Sequence, residues 1–141
     1  QAAIGLHQLK RIERYWQHRE KLFAKYTDEL KVFPLELPSN PPSHSRHAYH
    51  LFTILVDKER CGISRDDFLD GLTRRNIGAG VHYLSIPEHP YYQQTFGWQP
   101  EDYPEAMRIG RQTVSLPFSA KVTDADARYV VAAIEDILSH P

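Results

Sequence analysis

Leu6, Leu9, Ile12, Trp16, Phe23, Tyr26 and Leu30 recur at steps of three, four and seven, the spacing of one face of an amphipathic helix. No proline interrupts Ala2 to Lys31, and the only glycine, Gly5, lies near its start. The pattern predicts one helix of about 45 Å. A compact chain of this length is roughly 35–40 Å across. One end should therefore overhang, or pack on something this chain does not contain. The plainer alternative is a helix that bends or breaks near its middle. Pro34, Pro38, Pro41 and Pro42 then stop the helix, because proline lacks the amide donor and fixes φ.

Beyond the prolines, His47 to Asp57 is rich in aromatic and β-branched residues and predicts a buried strand. Ser64 with Asp67 three residues on predicts a capped helix start. Phe68, Leu69 and Leu72 form that helix's apolar face, and Asn76 with Gly78 ends it. Ala79 to Tyr83 predicts a second short strand. From Leu84 to about Pro104 neither period is present, which predicts a long loop. Glu105 to Gln112 predicts a short helix, and Thr113 to Leu116 a short strand. Thr123 with Asp126 repeats the capping pattern before a closing helix built on Ala127, Val130, Val131, Ile134, Ile137 and Leu138. The expected fold is α+β: a small, antiparallel-type sheet covered by helices and entered through a long N-terminal helix. Residues 1–32 form the linking helix and 33–141 the small domain.

Composition narrows the functional classes. The chain has 141 residues, 41% apolar and 25% charged, with a formal net charge of -1. Neither nucleic acid nor a membrane surface is recommended as a partner. The longest apolar stretch, Leu51 to Val56, is too short to span a bilayer. With no signal peptide at the start, the expected location is cytoplasmic. Absence of an initiator Met leaves open that the chain is part of something longer. A single cysteine, Cys61, excludes an internal disulfide and any cysteine-cluster metal site. His44, His47 and His50 are three apart, which on a strand puts successive side chains on opposite faces, so no metal is expected. Gly78-Ala79-Gly80 follows a helix and precedes a strand, the reverse of the dinucleotide-binding order. No nucleophile elbow occurs, and no catalytic residue is assigned.

His82-Tyr83, then His89, Tyr91 and Tyr92, are the residues with functional character. A rim of donors, acceptors and ring faces suits a sugar, whose hydroxyls need directional partners and whose C–H faces stack on rings. On the residues alone, the plainer reading is that these aromatics anchor a long loop to the core.

Several segments resemble one family in a common order. Gln1-Ala2-Ala3-Ile4-Gly5-Leu6 with Gln8-Leu9 is similar to a "QAAxGxxQL" helix. Arg65, Leu72 and Arg74 to Gly78 are similar to an "R-x-x-x-x-x-x-L-x-x-x-x-I-G" segment. Gly80-Val81-His82-Tyr83 with His89-Pro90-Tyr91-Tyr92 resembles a sugar-side loop, and Tyr103-Pro104-Glu105-Ala106 with Ser115-Leu116-Pro117 resembles "FPxAE…SLP". The family is the DegT/DnrJ/StrS-type sugar aminotransferases, pyridoxal phosphate enzymes of fold type I, and the resemblance is to their C-terminal small domain. It implies amino transfer from glutamate to a nucleotide-linked keto-sugar in polysaccharide biosynthesis, by a homodimer. It also implies His82, Tyr83, His89 and Tyr92 as substrate-binding residues. Pro87 stands where many members carry a further His, so any role of that His is not carried over.

In the family the cofactor lysine sits on a large N-terminal domain. Lys10, Lys21, Lys25, Lys31, Lys58 and Lys121 lie in no segment resembling its motif. Pyridoxal phosphate is thus expected in the intact enzyme and not on this chain alone, which would be inactive by itself. Two alternatives remain at this stage. One is a free-standing, non-catalytic module that oligomerises or interacts through its first helix. The other is part of a related pyridoxal-phosphate-dependent sugar dehydratase, in which His replaces the lysine. On the family reading the length marks a boundary: one small domain, and only part of an active site.

Overall fold

A computed structural model describes residues 2–140. The predicted first helix is broken. α1 (Ala2–Leu9) and α2 (Ile12–Leu30) are separated at Lys10–Arg11, where the bonding tightens and the Arg11 amide donates to the Gln8 carbonyl at 3.0 Å. The two helices also differ in surroundings. No residue of α1 is buried, whereas Leu22, Phe23, Tyr26 and Leu30 of α2 enter the core. Leu6 and Leu9 remain 63% and 62% exposed, so the apolar stripe read as continuous divides into an uncovered and a covered part. Gln1 of the "QAAxGxxQL" resemblance lies outside the described residues.

The small antiparallel sheet of the expected α+β fold is present, with two strands among the described residues rather than three. β1 (Thr53–Leu55) pairs with β2 (Thr113–Ser115) in the register Thr53↔Ser115, Ile54↔Val114, Leu55↔Thr113. Only three residues of the predicted strand from His47 to Asp57 pair as strand. The strand expected at Ala79 to Tyr83 reduces to one antiparallel bridge, Gly80↔Ser115, and another bridge joins Glu36 to Leu55. These flanking segments are extended but diverge from the sheet after a single pairing.

Helices cover this sheet. α3 (Lys58–Cys61) is capped by Asp57, whose side chain accepts from the amides of Glu59 and Arg60. α4 (Arg65–Arg74) begins at Ser64 as predicted, its hydroxyl accepting from the Asp67 amide at 3.2 Å. It ends at Arg75, and Asn76, not Gly78, takes the left-handed conformation that turns the chain (φ 56°). The stretch from Leu84 to Pro104, expected as a loop, contains a 3-10 turn at Ile86–Glu88, α5 (Pro90–Phe96) and a second 3-10 turn at Pro100–Asp102. Short, proline-started helices show no sustained apolar face, because α5 buries none of its residues. α6 (Pro104–Gln112) leads into β2, and α7 (Asp124–Ser139) opens on the predicted Thr123–Asp126 capping box.

The core lies between α2, α4, α7 and the sheet. At its centre the Phe52 ring lies 5.0 Å from that of Phe23 and 5.1 Å from that of Tyr26, and Ile134, Leu72, Phe68, Ile54 and Val114 belong to the same core. Trp16, read as part of the helix's core stripe, is half-buried instead. Its indole N–H donates to the His47 carbonyl at 2.7 Å, and the Arg46 guanidinium lies 4.4 Å from its ring.

Candidate functional site

The chain between β2's edge and α6 carries every residue assigned to the sugar side. Gly80 is fixed to Ser115 by two backbone bonds of 3.2 and 2.8 Å. The next four residues swing clear of the sheet, so that His82, Tyr83 and Leu84 are all exposed, Tyr83 at 76%. Ser85 then turns inward and is buried. Its carbonyl accepts from the Glu88 amide at 3.0 Å to start the 3-10 turn, and the Ile86 carbonyl accepts from the His89 amide. His89 occupies the N-cap position of α5 without a side-chain cap bond, placing Tyr92 three residues later on the helix's first turn.

Two ring pairs result. His82 and Tyr83 meet edge-to-face at 5.0 Å, and His89 and Tyr92 do so at 6.5 Å. Among the described residues no ring contact joins one pair to the other, so they are two stations along one rim. Their tilted rings leave nitrogen and hydroxyl groups free to hydrogen-bond a polyhydroxylated ligand.

Behind Tyr92 stands a ladder of rings. Tyr92 stacks on Trp98 at 5.6 Å and 18°, Phe96 lies 6.0 Å from Tyr92, and Tyr103 lies 5.6 Å from Trp98. Gly97 permits this return, since it ends α5 with φ 69°. The loop aromatics therefore pack mainly on one another, rather than anchoring the segment into the core. The Pro87 carbonyl accepts from the Gln93 side chain at 2.8 Å, so the proline at the departed family position is a bonding point within the rim. Glu88 pairs with Arg111 of α6 at 3.1 Å, a second tie to that helix.

Sequence reading overlooked Ser85 and Gly110, which join the rim to α6. A methyl group at Gly110 would stand 2.5 Å from Ser85 Oγ and 2.7 Å from its amide nitrogen. An isolated glycine within a helical stretch was the available signal.

Charged groups elsewhere make structural ties. Bonds from the Arg60 amide, then from Gln112 and Glu59, hold the Asp57 carboxyl below the usual aspartate range. His44, His47 and His50 are exposed, and His47 Nδ1 accepts from the Tyr49 amide. Among the described residues no three His, Cys, Asp or Glu side chains are placed to hold a metal ion. A lysine holding pyridoxal phosphate needs a covered site, a partner for the ring nitrogen and donors for the phosphate. Lys10, Lys21, Lys31, Lys58 and Lys121 are exposed, and the half-buried Lys25 pairs with Glu29 at 3.1 Å. The residues present do not fit the group.

The model of the DegT/DnrJ/EryC1/StrS aminotransferase family matches residues 1–135. The chain belongs to that family. A curated relative, the spore coat polysaccharide biosynthesis protein SpsC of Bacillus subtilis, is 36% identical over 139 residues, covering 98% of this chain and 36% of its own length. PseC of Helicobacter pylori, an aminotransferase involved in the biosynthesis of pseudoaminic acid, superposes with a TM-score of 0.85 at 27% identity, over 97% of this chain and 36% of that one. Spr1654 of Streptococcus pneumoniae, in its PLP-form, shares the fold with a TM-score of 0.87 at 22% identity, over 98% of this chain and 35% of that one. Measured against SpsC, this member of the family spans about a third of a relative's length. No helix among the described residues is long and apolar enough to cross a membrane.

Proposed function

We propose that this chain is the small domain of a cytoplasmic, homodimeric, pyridoxal-phosphate-dependent nucleotide-sugar aminotransferase, and that it contributes the substrate side of the active site. The family match across residues 1–135 carries this reading, and the exposed rim supports it. In this reading His82 and Tyr83 hydrogen-bond the keto-sugar's hydroxyls, while His89 and Tyr92 offer a second donor–acceptor pair and a ring edge. They bind and orient the sugar; none is assigned a proton transfer. The cofactor and its lysine belong to a larger portion of the enzyme; five of the lysines here are exposed and the sixth, Lys25, is paired with Glu29.

The test is expression of the full reading frame beside this chain alone. Only the former should show the absorbance of lysine-bound pyridoxal phosphate and transfer the amino group of glutamate to nucleotide-linked keto-sugars. His82→Ala and Tyr83→Phe should each raise the KM for the sugar about three- to tenfold, the worth of one hydrogen bond. A specific lysine adduct on the isolated chain, or unchanged sugar KM in both variants, overturns the reading.

The exposed row Ile4, Leu6, Leu9 and Ile12 favours a second reading, a free-standing module that pairs through α1. Sedimentation of the isolated chain separates the two: a dimer abolished by Leu6→Ser with Leu9→Ser supports the module. Dehydration in place of amino transfer by the full reading frame would mark the related sugar dehydratases.

A further inference from the structure

The rim's geometry depends on a contact outside it. Val81 to Leu84 lie between two fixed points, Gly80, bonded to Ser115 of β2, and Ser85, bonded to Ala106 of α6. Among the described residues no backbone hydrogen bond holds 81–84 between those anchors. Ser85 is the one buried residue between Val81 and Ile86. Its hydroxyl donates to the Ala106 carbonyl of α6, and its backbone packs on Gly110, one turn further along that helix. The Gly110 carbonyl in turn accepts from Arg65 at 3.4 Å, linking this junction to the start of α4. Ser85 also begins the 3-10 turn that leads to His89 and Tyr92. One residue therefore sets where both ring pairs stand.

We propose that Ser85, seated on Gly110, is a positioning residue for sugar recognition, acting through His82, Tyr83, His89 and Tyr92. This rests on the sugar-side reading above. A side chain at Gly110 forces the Ser85 backbone away from α6, since the amide nitrogen cannot yield as a flexible side chain can. Loss of the Ser85 hydroxyl is milder, because the close backbone contact remains. The expected signature is selective: weaker capture of the sugar, with the glutamate reaction unaffected.

The experiment uses the enzyme expressed from the full reading frame, with UDP-, GDP- and dTDP-linked keto-sugars as probes. Wild type, Ser85→Ala, Gly110→Ala and His82→Ala are compared in the glutamate half-reaction, in sugar KM and kcat, and in thermal unfolding. Ser85→Ala should raise sugar KM about three- to tenfold, and Gly110→Ala about tenfold or more. The glutamate half-reaction should stay within about twofold of wild type in both. Equal losses in both half-reactions, or a lowered Tm with unchanged sugar KM, show a merely structural contact and overturn the proposal. Ser85→Ala keeps this decidable if Gly110→Ala does not fold. Unchanged sugar KM in His82→Ala, or no probe turned over by wild type, overturns the sugar-side reading itself.

Discussion

Tyr26 of α2 donates its phenolic hydrogen to the Pro117 carbonyl at 3.1 Å, joining α2 to the segment that follows β2. The residue is fully buried, and that burial, with smaller contributions from Asp126 and Glu29, pushes its ionisation above the ordinary tyrosine value. Tyr26→Phe keeps the ring among Phe52 and its neighbours and leaves one carbonyl without its donor. It should cost about 1 kcal/mol in urea unfolding, against about 3–5 kcal/mol for Phe52→Ala. Equal costs would show that the hydroxyl, not the ring packing, dominates there.

The break at Lys10–Arg11 predicts a discontinuity in mutational cost. Leu6→Ala and Leu9→Ala in this chain should each change stability by less than about 0.5 kcal/mol, because neither side chain is covered. Leu22→Ala, one face of α2 later, should cost about 2–5 kcal/mol. Comparable losses at Leu6 and Leu22 would require one continuous packed helix.

Acid should loosen the fold through three carboxylates. Backbone bonds at Asp57, the Thr123 hydroxyl and amide at Asp126, and Arg75 at Asp136 each lower the folded aspartate's pKa. Each contribution is complete above the unfolded aspartate value of about 3.9 and is lost as pH falls from there through the lowered folded value. Urea midpoints should hold between about pH 7 and 5 on account of these groups and decline below about pH 4. Asp126→Asn should flatten part of that decline; an undiminished slope would remove Asp126 from the explanation.

The cap itself has a separate cost. Thr123→Ala removes the hydroxyl that accepts from the Asp126 amide at 3.1 Å and should destabilise α7 by about 1 kcal/mol at neutral pH. Thr123→Ser should recover most of it, which a general packing defect would not allow.

Cys61 is buried, its thiol donating to the Pro34 carbonyl at 3.2 Å, and burial raises its pKa. Iodoacetamide should label it slowly in the native chain and rapidly in urea. Native labelling as fast as that of a free thiol would place Cys61 at the surface.

The two capped helices, the Thr113 strand and the α+β class were legible because their signals are local: a hydroxyl three residues before a carboxylate, and apolar spacing within one element. The His-Tyr and His-Pro-Tyr-Tyr segments were legible as motifs for the same reason. Their disposition was not, since α5 buries no residue and so leaves no amphipathic trace, and the Gly80 bridge depends on a partner 35 residues away. Ser85 and Gly110 are separated by the whole aromatic segment, and neither residue type announces the other.

By itself, then, the sequence determined where α4 and α7 begin, through their caps, and which helix faces could be buried. Tertiary structure decided which of those faces is covered: Phe23, Tyr26 and Leu30 are buried where α2 packs on α7, while Leu6 and Leu9, on the same predicted stripe, stay exposed. Burial requires a partner surface, and spacing records only the capacity for one. The rim follows the same rule, for behind its exposed rings a buried serine sits against α6 at Ala106 and Gly110.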